Sequence, residues 1–461
     1  MPATVARTRS RLVICSNLRL RSWGRWILTA PIRLSARVRH LPSQQTEMST
    51  IGQDAGRLAF GSRIRVGCKD EVPMNESHVS RLGRQAAPGR VVAASIAAPG
   101  TARRRFLDYV RSPSEHRPVV SPFLPKPDVL EAALHHLGLP ITGDAVGDEI
   151  ALSRAVDYEP MFMVGCSQFI FPWVMDEEGS NADGIRYTLA TEAGTWTKRL
   201  PRGLTMGSTE ASFPVQSEQD HQYFQSACLG VMQREKEIRE FFRQWRHKVG
   251  DDGVIVIGHV NPYWLAHQIG QATWFLHWHD FEATYRRSMA AVYEASLYVF
   301  ALALEEGFDF MSASGLGLEM TSPDLFAAMD VPCLSDYAAW THDRGGLFWY
   351  HNCGRTQRFF DAGDFDRIEA DVLETVAPPP AGDNELARAR ARLRPGSCTK
   401  GNLDLGLLRD GSVKAVTEAT QRMVTATVGQ AHILSTADAV LPGTPPANFL
   451  AHLHTARAMT E

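Results

Sequence analysis

From residue 105 onward, short apolar runs alternate with longer segments of helical periodicity. In the longest of these segments, 281–306, apolar residues recur every three or four positions, as they do in an amphipathic helix. Eight of the apolar runs are predicted to be β-strands, at 118–123, 158–165, 254–260, 309–315, 347–354, 371–376, 397–404 and 432–440. Strand–helix alternation of this length predicts an α/β protein, a (β/α)8 TIM barrel, with a doubly wound open sheet as the alternative.

One segment breaks the alternation. Residues 185–199 are rich in threonine and aromatic residues and contain a Glu-Ala-Gly sequence between two strand-like halves. This pattern is typical of a β-hairpin. We therefore expect a β-hairpin insertion after the second barrel strand. No Gly-x-Gly-x-x-Gly sequence follows a strand, which argues against a dinucleotide site.

The first part of the chain follows a different compositional rule. Residues 1–105 carry 19 Lys and Arg against 5 Asp and Glu, whereas the whole chain has a net charge of −3. The boundary falls in a stretch punctuated by Ala, Pro and Gly, which is typical of a linker. We predict that residues 1–104 are a basic, disordered extension and linker and that 105–461 form the barrel. An Arg-rich targeting presequence and a nucleic-acid or membrane arm are the alternatives.

Cysteine usage and hydropathy bear on the compartment. The seven cysteines are an odd, scattered set, which favours a reducing compartment without a disulfide framework. No stretch reaches 18 uninterrupted apolar residues, so a spanning helix is not expected. We expect a cytoplasmic protein, with organelle targeting as the minor alternative, and neither a nucleic-acid nor a membrane partner for the barrel.

Polar residues stand at the ends of the predicted strands. In a (β/α)8 barrel the carboxyl ends of the strands and the loops after them form the active mouth. Because solvent also begins there, a polar residue at a strand end is equally well an ordinary loop residue. The residues that we expect to contact a substrate are His259, Asn261, Ser314, Asn402 and Asp404.

The sequence His351-Asn352-Cys353 is the sharpest chemical signal in the chain. Side chains of a strand alternate between its two faces, so the imidazole and the thiol are predicted to point to the same side. Both are good zinc ligands when that side faces the barrel axis. The alternative is a buried thiol beside a hydrogen-bonded histidine.

A catalytic zinc needs a third protein ligand and an open position. Asp438, at the end of the last predicted strand, is the best candidate, and Glu374 is the second. His351, Cys353 and Asp438 are therefore the candidate metal ligands, beside the alternative of a buried thiol.

Three segments carry a specific pattern: 373–383 (LETVAPPPAGD), 398–408 (CTKGNLDLGLL) and 433–449 (ILSTADAVLPGTPPANF). Residues 256–265 and 347–354 fit the same pattern. Together these segments resemble the uroporphyrinogen decarboxylase superfamily. The resemblance spans roughly residues 105–459. It implies a (β/α)8 barrel, in agreement with the alternation.

The superfamily has two branches. Its decarboxylases remove carboxylates from uroporphyrinogen without metal or cofactor and carry an Arg-Gln-Ala-Gly-Arg segment near the first strand. That segment is absent here, which weighs against an anionic tetrapyrrole substrate. The other branch contains zinc-dependent methyltransferases, and His351 and Cys353 match their His-x-Cys pair. Their third ligand is a cysteine, and Asp438 stands at that position.

The resemblance thus implies a zinc-dependent methyltransferase that moves a methyl group between a corrinoid, held by a partner protein, and a thiol. It also implies a possible homodimer. Two alternatives stay open. The first is a cofactor-free carboxy-lyase acting on a tetrapyrrole or another carboxylic acid, with Glu374 or Asp438 as the acid–base catalyst. The second is a non-catalytic barrel that binds a tetrapyrrole or corrinoid.

Overall fold

The structure is a computed structural model. It describes residues 100–123, 127–170, 174–191, 194–201, 215–258, 273, 276–277, 280–315 and 321–461. The predicted extension therefore lies almost entirely outside the described residues, as do His259 and Asn261.

Seven parallel strands of the described residues form the main sheet, and each of them pairs with the next one in chain order. They are short and mostly buried, as expected for a sheet covered by helices on its outer face. Their bounds are β1 Met161–Gly165, β5 Val254–Gly258, β6 Phe310–Ser314, β7 Leu347–His351, β8 Val372–Glu374, β9 Cys398–Leu403 and β10 His432–Thr436.

The segment predicted as the first strand takes the eighth position. Val120 forms a parallel bridge with Leu434 of β10, and its carbonyl oxygen accepts a hydrogen bond from the backbone N–H of Glu159, just before β1. Residues 118–123 thus join the two edge strands of the sheet. The predicted (β/α)8 barrel is confirmed, although this segment contributes one bridge rather than a full strand.

Helices connect the strands on the outside of the barrel. They are α1 Ala102–Arg111, α2 Pro127–His136, α3 Ala145–Val156, α4 Ser167–Ile170, α5 Glu218–Leu229, α6 Glu235–Val249, α7 Glu282–Glu305, α8 Pro323–His342, α9 Gln357–Ala362, α10 Asp364–Arg367, α11 Leu386–Arg390, α12 Leu405–Asp410, α13 Val413–Thr427 and α14 Pro446–Ala458, with a 3₁₀-helix at Gly230–Arg234.

The insertion after β1 is a three-stranded antiparallel sheet rather than a hairpin. Its strands are β2 Val174–Asn181, β3 Gly184–Thr191 and β4 Gly194–Pro201, in the order β2-β3-β4. The predicted hairpin corresponds to β3 and β4. The third strand was missed because β2 contains Asp, Glu, Gly and Asn, residue types that are depleted in strands.

Helix α1 begins at Ala102, three residues before the predicted start of the folded part. Its run of three arginines hides the apolar positions that mark a helix, but Phe106 and Tyr109 are fully buried in the barrel core. Arg103 is also buried and forms an ion pair with Asp309 at 2.8 Å. Residues 102–104, which we expected to belong to the linker, are therefore the first turn of a helix packed against the barrel.

The barrel interior is apolar in its lower part. One buried cluster contains side chains of seven barrel strands, among them Val254, Phe310, Trp349, Val372 and Cys398. The rings of Phe310 and Trp349 meet edge to face, with centroids 5.3 Å apart. This packed layer lies directly below the candidate functional residues.

Helix α7 is long and apolar enough to cross a membrane by length and composition alone. However, 72% of its most apolar window is buried inside the protein. Packing against the barrel therefore accounts for its apolar character.

Three buried histidines predict acid sensitivity. Burial lowers the pKa of His432 to about 3, and the nearby charge of Arg390 adds to this effect. Burial also lowers the pKa values of His452 and His221 to about 4, with His277 adding to the effect on His221. These side chains stay neutral in the folded protein, while in the unfolded chain they take up a proton near pH 6.5. We expect the free energy of unfolding to fall as the pH drops from 6.5 toward 4, by up to about 1.4 kcal/mol per pH unit for each histidine.

Urea unfolding between pH 7 and 4 measures this effect. His452→Gln should flatten the pH dependence, whereas the exposed control His454→Gln should leave it unchanged. Identical slopes for the two variants would show that burial of His452 does not contribute.

Candidate metal centre

Four residues line up across neighbouring strands at the mouth of the barrel. Ser314 of β6 pairs in register with His351 of β7. His351 pairs in turn with Glu374 of β8, and Glu374 pairs with Lys400 of β9. Partners in neighbouring strands share a face, and the residues two positions earlier in β7, β8 and β9 lie in the interior core. The side chains of His351, Glu374 and Lys400 therefore form a polar layer inside the barrel, above its apolar floor.

Three potential metal ligands meet beside this layer. One nitrogen of His351, the Sγ of Cys353 and a carboxylate oxygen of Asp438 all lie within 4.8 Å of one another. In a tetrahedral zinc site, ligand atoms about 2.0–2.3 Å from the metal are separated from each other by roughly 3.3–3.8 Å. Small side-chain movements suffice to bring the three donors onto one ion.

The surroundings of the three donors suit a catalytic metal rather than a closed structural one. The side chain of His351 is 13% exposed, Asp438 is half-buried and Cys353 is exposed. The cluster is thus closed toward the barrel interior and open toward solvent, which leaves space for a substrate. An imidazole, a thiol and a carboxylate form a donor set that fits zinc.

The three donors do not converge through the strand alternation that the sequence suggested. Strand β7 ends at His351 and β10 at Thr436, so Cys353 and Asp438 lie in the loops beyond the strands. The two-residue alternation of a strand therefore does not set the direction of the thiol. In the second loop, Asp438 Oδ1 accepts a 2.6 Å hydrogen bond from the N–H of Ala439, and its backbone oxygen accepts one of 2.7 Å from Thr436 Oγ1.

Glu374 lies behind His351 and is fully buried. Its Oε2 is 3.2 Å from His351 Nδ1 and accepts a 3.1 Å hydrogen bond from Trp349 Nε1. Its Oε1 accepts a 2.5 Å hydrogen bond from Lys400 Nζ. Both oxygens are therefore engaged, and Glu374 orients the imidazole of His351 from its Nδ1 side. The roles of Glu374 as the second candidate ligand and as an acid–base residue stay predictions.

The electrostatics of the site follow from these contacts. Burial by itself raises the pKa of Glu374, but Lys400 and His351 outweigh it and lower the pKa to about 2. Burial by itself lowers the pKa of His351, but hydrogen bonds with Cys353 and Glu374 outweigh it and raise the pKa to about 10. The imidazole of His351 therefore holds its proton strongly beside the thiol of Cys353 and the carboxylate of Glu374. A metal ion bound by the ring would replace this proton and compensate the negative charge of the same two groups.

Sequence reasoning missed Lys400. It is fully buried in the interior layer, with Nζ 4.5 Å from the ring centroid of Phe123. The signal was present, because a lysine two positions after Cys398 in a buried strand has to find a partner or remain uncharged. The partner, Glu374, comes from the neighbouring strand and was not evident from the pattern of either strand.

The other predicted substrate residues are spread along the mouth. Ser314 stands next to His351 at the end of β6. The side-chain amide of Asn402 donates a 3.2 Å hydrogen bond to the backbone oxygen of Val376. Contacts of these two residues with a substrate stay a prediction.

Asp404 is the N-cap residue of α12, since its Oδ1 accepts a 2.6 Å hydrogen bond from the N–H of Leu407. Replacement by alanine is expected to lower the free energy of unfolding by about 1 kcal/mol, because an N-cap is lost. Asp404→Asn should keep most of that stability. Urea unfolding of both variants measures the difference, and an equal loss in both would contradict the capping role.

Fold and site together define a (β/α)8-barrel protein with a candidate catalytic metal centre at its mouth. Residues 214–459, which are more than half of the chain, match the family model described as uroporphyrinogen decarboxylase (URO-D). The chain therefore belongs to the uroporphyrinogen decarboxylase family, as its sequence resemblance predicted. No curated protein matches the chain in sequence.

Two solved structures resemble the chain to different degrees. A methyltransferase from Methanosarcina mazei has a TM-score of 0.51 and 16% identity, and the match covers 78% of this chain and 98% of that one. A putative vitamin B12-independent methionine synthase from Listeria monocytogenes has a TM-score of 0.37 and 10% identity, with 74% and 96% covered. The first of these likenesses supports the barrel fold.

Proposed function

We propose that the protein is a zinc-dependent methyltransferase that moves a methyl group between a corrinoid and a thiol. The observation that carries the proposal is the meeting of His351, Cys353 and Asp438 at the open mouth of the barrel. The family's fold and the structural likeness to a methyltransferase are consistent with it.

The three donors have distinct roles in this proposal. His351 would hold the zinc through Nε2, Cys353 through its thiolate and Asp438 through a carboxylate oxygen. When bound, zinc supplies a Lewis acid that favours the thiolate, the nucleophilic form of an acceptor thiol. The exposed side of the cluster, around Cys353, is where acceptor and donor would enter.

The residues below the cluster keep it in place. Glu374 holds the proton on Nδ1 of His351, and the ring of Phe123 lies against the imidazole with centroids 5.5 Å apart. These buried groups exclude water from the inner side of the site and fix the histidine. The methyl donor, a corrinoid on a partner protein, is part of the proposal on the strength of the family resemblance.

The buried lysine of the site gives no support to decarboxylation of a tetrapyrrole. A substrate with many carboxylates needs cationic partners that are free to bind it. Lys400, a buried cation of this site, is already paired with Glu374. The paired lysine therefore offers no charge to an anionic substrate.

The test uses methylcobalamin as the corrinoid and 2-mercaptoethanol and homocysteine as acceptors. We expect the zinc-loaded protein to transfer the methyl group, with the loss of methylcobalamin followed by absorbance and the methyl thioether by mass spectrometry. His351→Ala should lower the rate by roughly 1000-fold, while the exposed control His454→Ala should leave it unchanged. Metal-independent release of CO2 from a tetrapyrrole, or tight corrinoid binding without transfer, would overturn the proposal.

A further inference from the structure

We propose that Lys400 is a positioning residue for the metal centre, acting through Glu374 to fix the imidazole of His351. The inference rests on the proposed metal site, and it assigns a function to a buried cation that forms no described hydrogen bond with the three ligands, although its charge also interacts with Asp438. The chain of contacts runs from Nζ of Lys400 through both oxygens of Glu374 to Nδ1 of His351.

The contacts that lead from Lys400 to His351 are short and shielded from solvent. Lys400 Nζ lies 2.5 Å from Glu374 Oε1, and both side chains are fully buried. The ammonium also lies 4.5 Å from the ring centroid of Phe123 and 5.6 Å from that of Trp349. Aromatic faces attract a desolvated cation, so the lysine is held by one carboxylate and two rings.

Lys400 determines what the second oxygen of Glu374 can do. With Oε1 held by the ammonium, Oε2 accepts hydrogen bonds from Trp349 and faces Nδ1 of His351. Without the lysine, Oε1 loses its partner and the carboxylate is free to turn. The histidine would then lose its fixed orientation toward the metal.

Folding alone gives no reason to retain this pair. A buried ion pair loses much solvation, and apolar residues of similar volume are often as stabilising or more so. The layer directly below consists of Trp349, Val372 and Cys398 and shows that this barrel packs well with apolar side chains. The pair occurs in the one layer where its carboxylate reaches a metal ligand.

The experiment measures zinc affinity by competition with a chromophoric chelator. Lys400→Met is expected to weaken zinc binding by roughly 10- to 100-fold, the usual effect of removing a group that orients a ligand. Lys414→Met is the matched control, because Lys414 is an exposed lysine of α13, and it should bind zinc like the wild type.

A double variant separates positioning from folding. Lys400→Met leaves a buried carboxylate alone and can fail to fold, so Lys400→Met/Glu374→Gln removes both charges. Positioning predicts that the double variant folds, binds zinc weakly and shows an altered Co²⁺ absorption spectrum. Wild-type affinity and spectrum in the double variant would overturn the role of Lys400.

The outcomes distinguish this inference from the proposed function. Zinc binding that depends on Lys400, with no methyl transfer in any assay, supports the role of Lys400 and contradicts the methyltransferase proposal. Methyl transfer together with a zinc affinity that does not depend on Lys400 supports the methyltransferase proposal and contradicts the role of Lys400. A wild-type protein that binds no zinc overturns both.

Discussion

Replacing His351 or Cys353 with alanine is expected to remove zinc from the protein and to lower methyl transfer by roughly 1000-fold. A metal acting as a Lewis acid supplies several kcal/mol to a reaction, and each 1.4 kcal/mol is a factor of about 10 in rate. Two ligands are too few for a stable site, so the loss of either one should empty it. Elemental analysis and the methylcobalamin assay measure the two effects on the same preparations.

The control for this prediction is His454→Ala, which removes an exposed imidazole far along the chain. It should keep one zinc per chain and wild-type activity. Zinc retained in Cys353→Ala at wild-type stoichiometry would mean that the thiol is not a ligand. Circular dichroism should show that all variants remain folded, since Cys353 is exposed and His351 lies at a strand end.

Glu374→Ala is expected to lower the free energy of unfolding by about 3–5 kcal/mol. The substitution leaves the ammonium of Lys400 buried without its ion-pair partner, which is among the most destabilising changes a single residue can make. Urea unfolding at neutral pH measures the loss. The matched control is Glu418→Ala on the partly exposed surface of α13, which should change stability by less than about 0.5 kcal/mol.

A second substitution tests the cause of that loss. Because the unpaired charge is responsible, Glu374→Ala/Lys400→Met should recover most of the stability. If Glu374→Ala costs less than 1 kcal/mol, or if the double variant is no more stable than Glu374→Ala, the buried pair is not the source of the effect.

The barrel was predictable because the strand–helix alternation repeats along the chain. Each strand, taken alone, is a short apolar run, but the regular alternation with helices such as α7 leaves few other topologies. Strand ends were less predictable, as the predicted strands 347–354 and 432–440 stop at His351 and Thr436. Backbone pairing with neighbouring strands sets those limits, and hydropathy does not record it.

The site was predictable in part. The pair His351 and Cys353 is visible in one strand and its loop, and the family resemblance pointed to position 438. The Lys400–Glu374 pair depends on the register between β8 and β9, which is a property of two strands together. Roles for His259 and Asn261 stay predictions, because those residues lie outside the described part of the chain.

The central claim is that an imidazole, a thiolate and a carboxylate hold one zinc ion at the barrel mouth. Zinc K-edge X-ray absorption of the zinc-loaded protein, combined with elemental analysis, tests it most directly. We predict one zinc per chain, with one sulfur at about 2.3 Å and the remaining nitrogen and oxygen ligands at about 2.0–2.2 Å. A protein that binds no zinc, or a zinc shell with no sulfur or with several, would contradict the account.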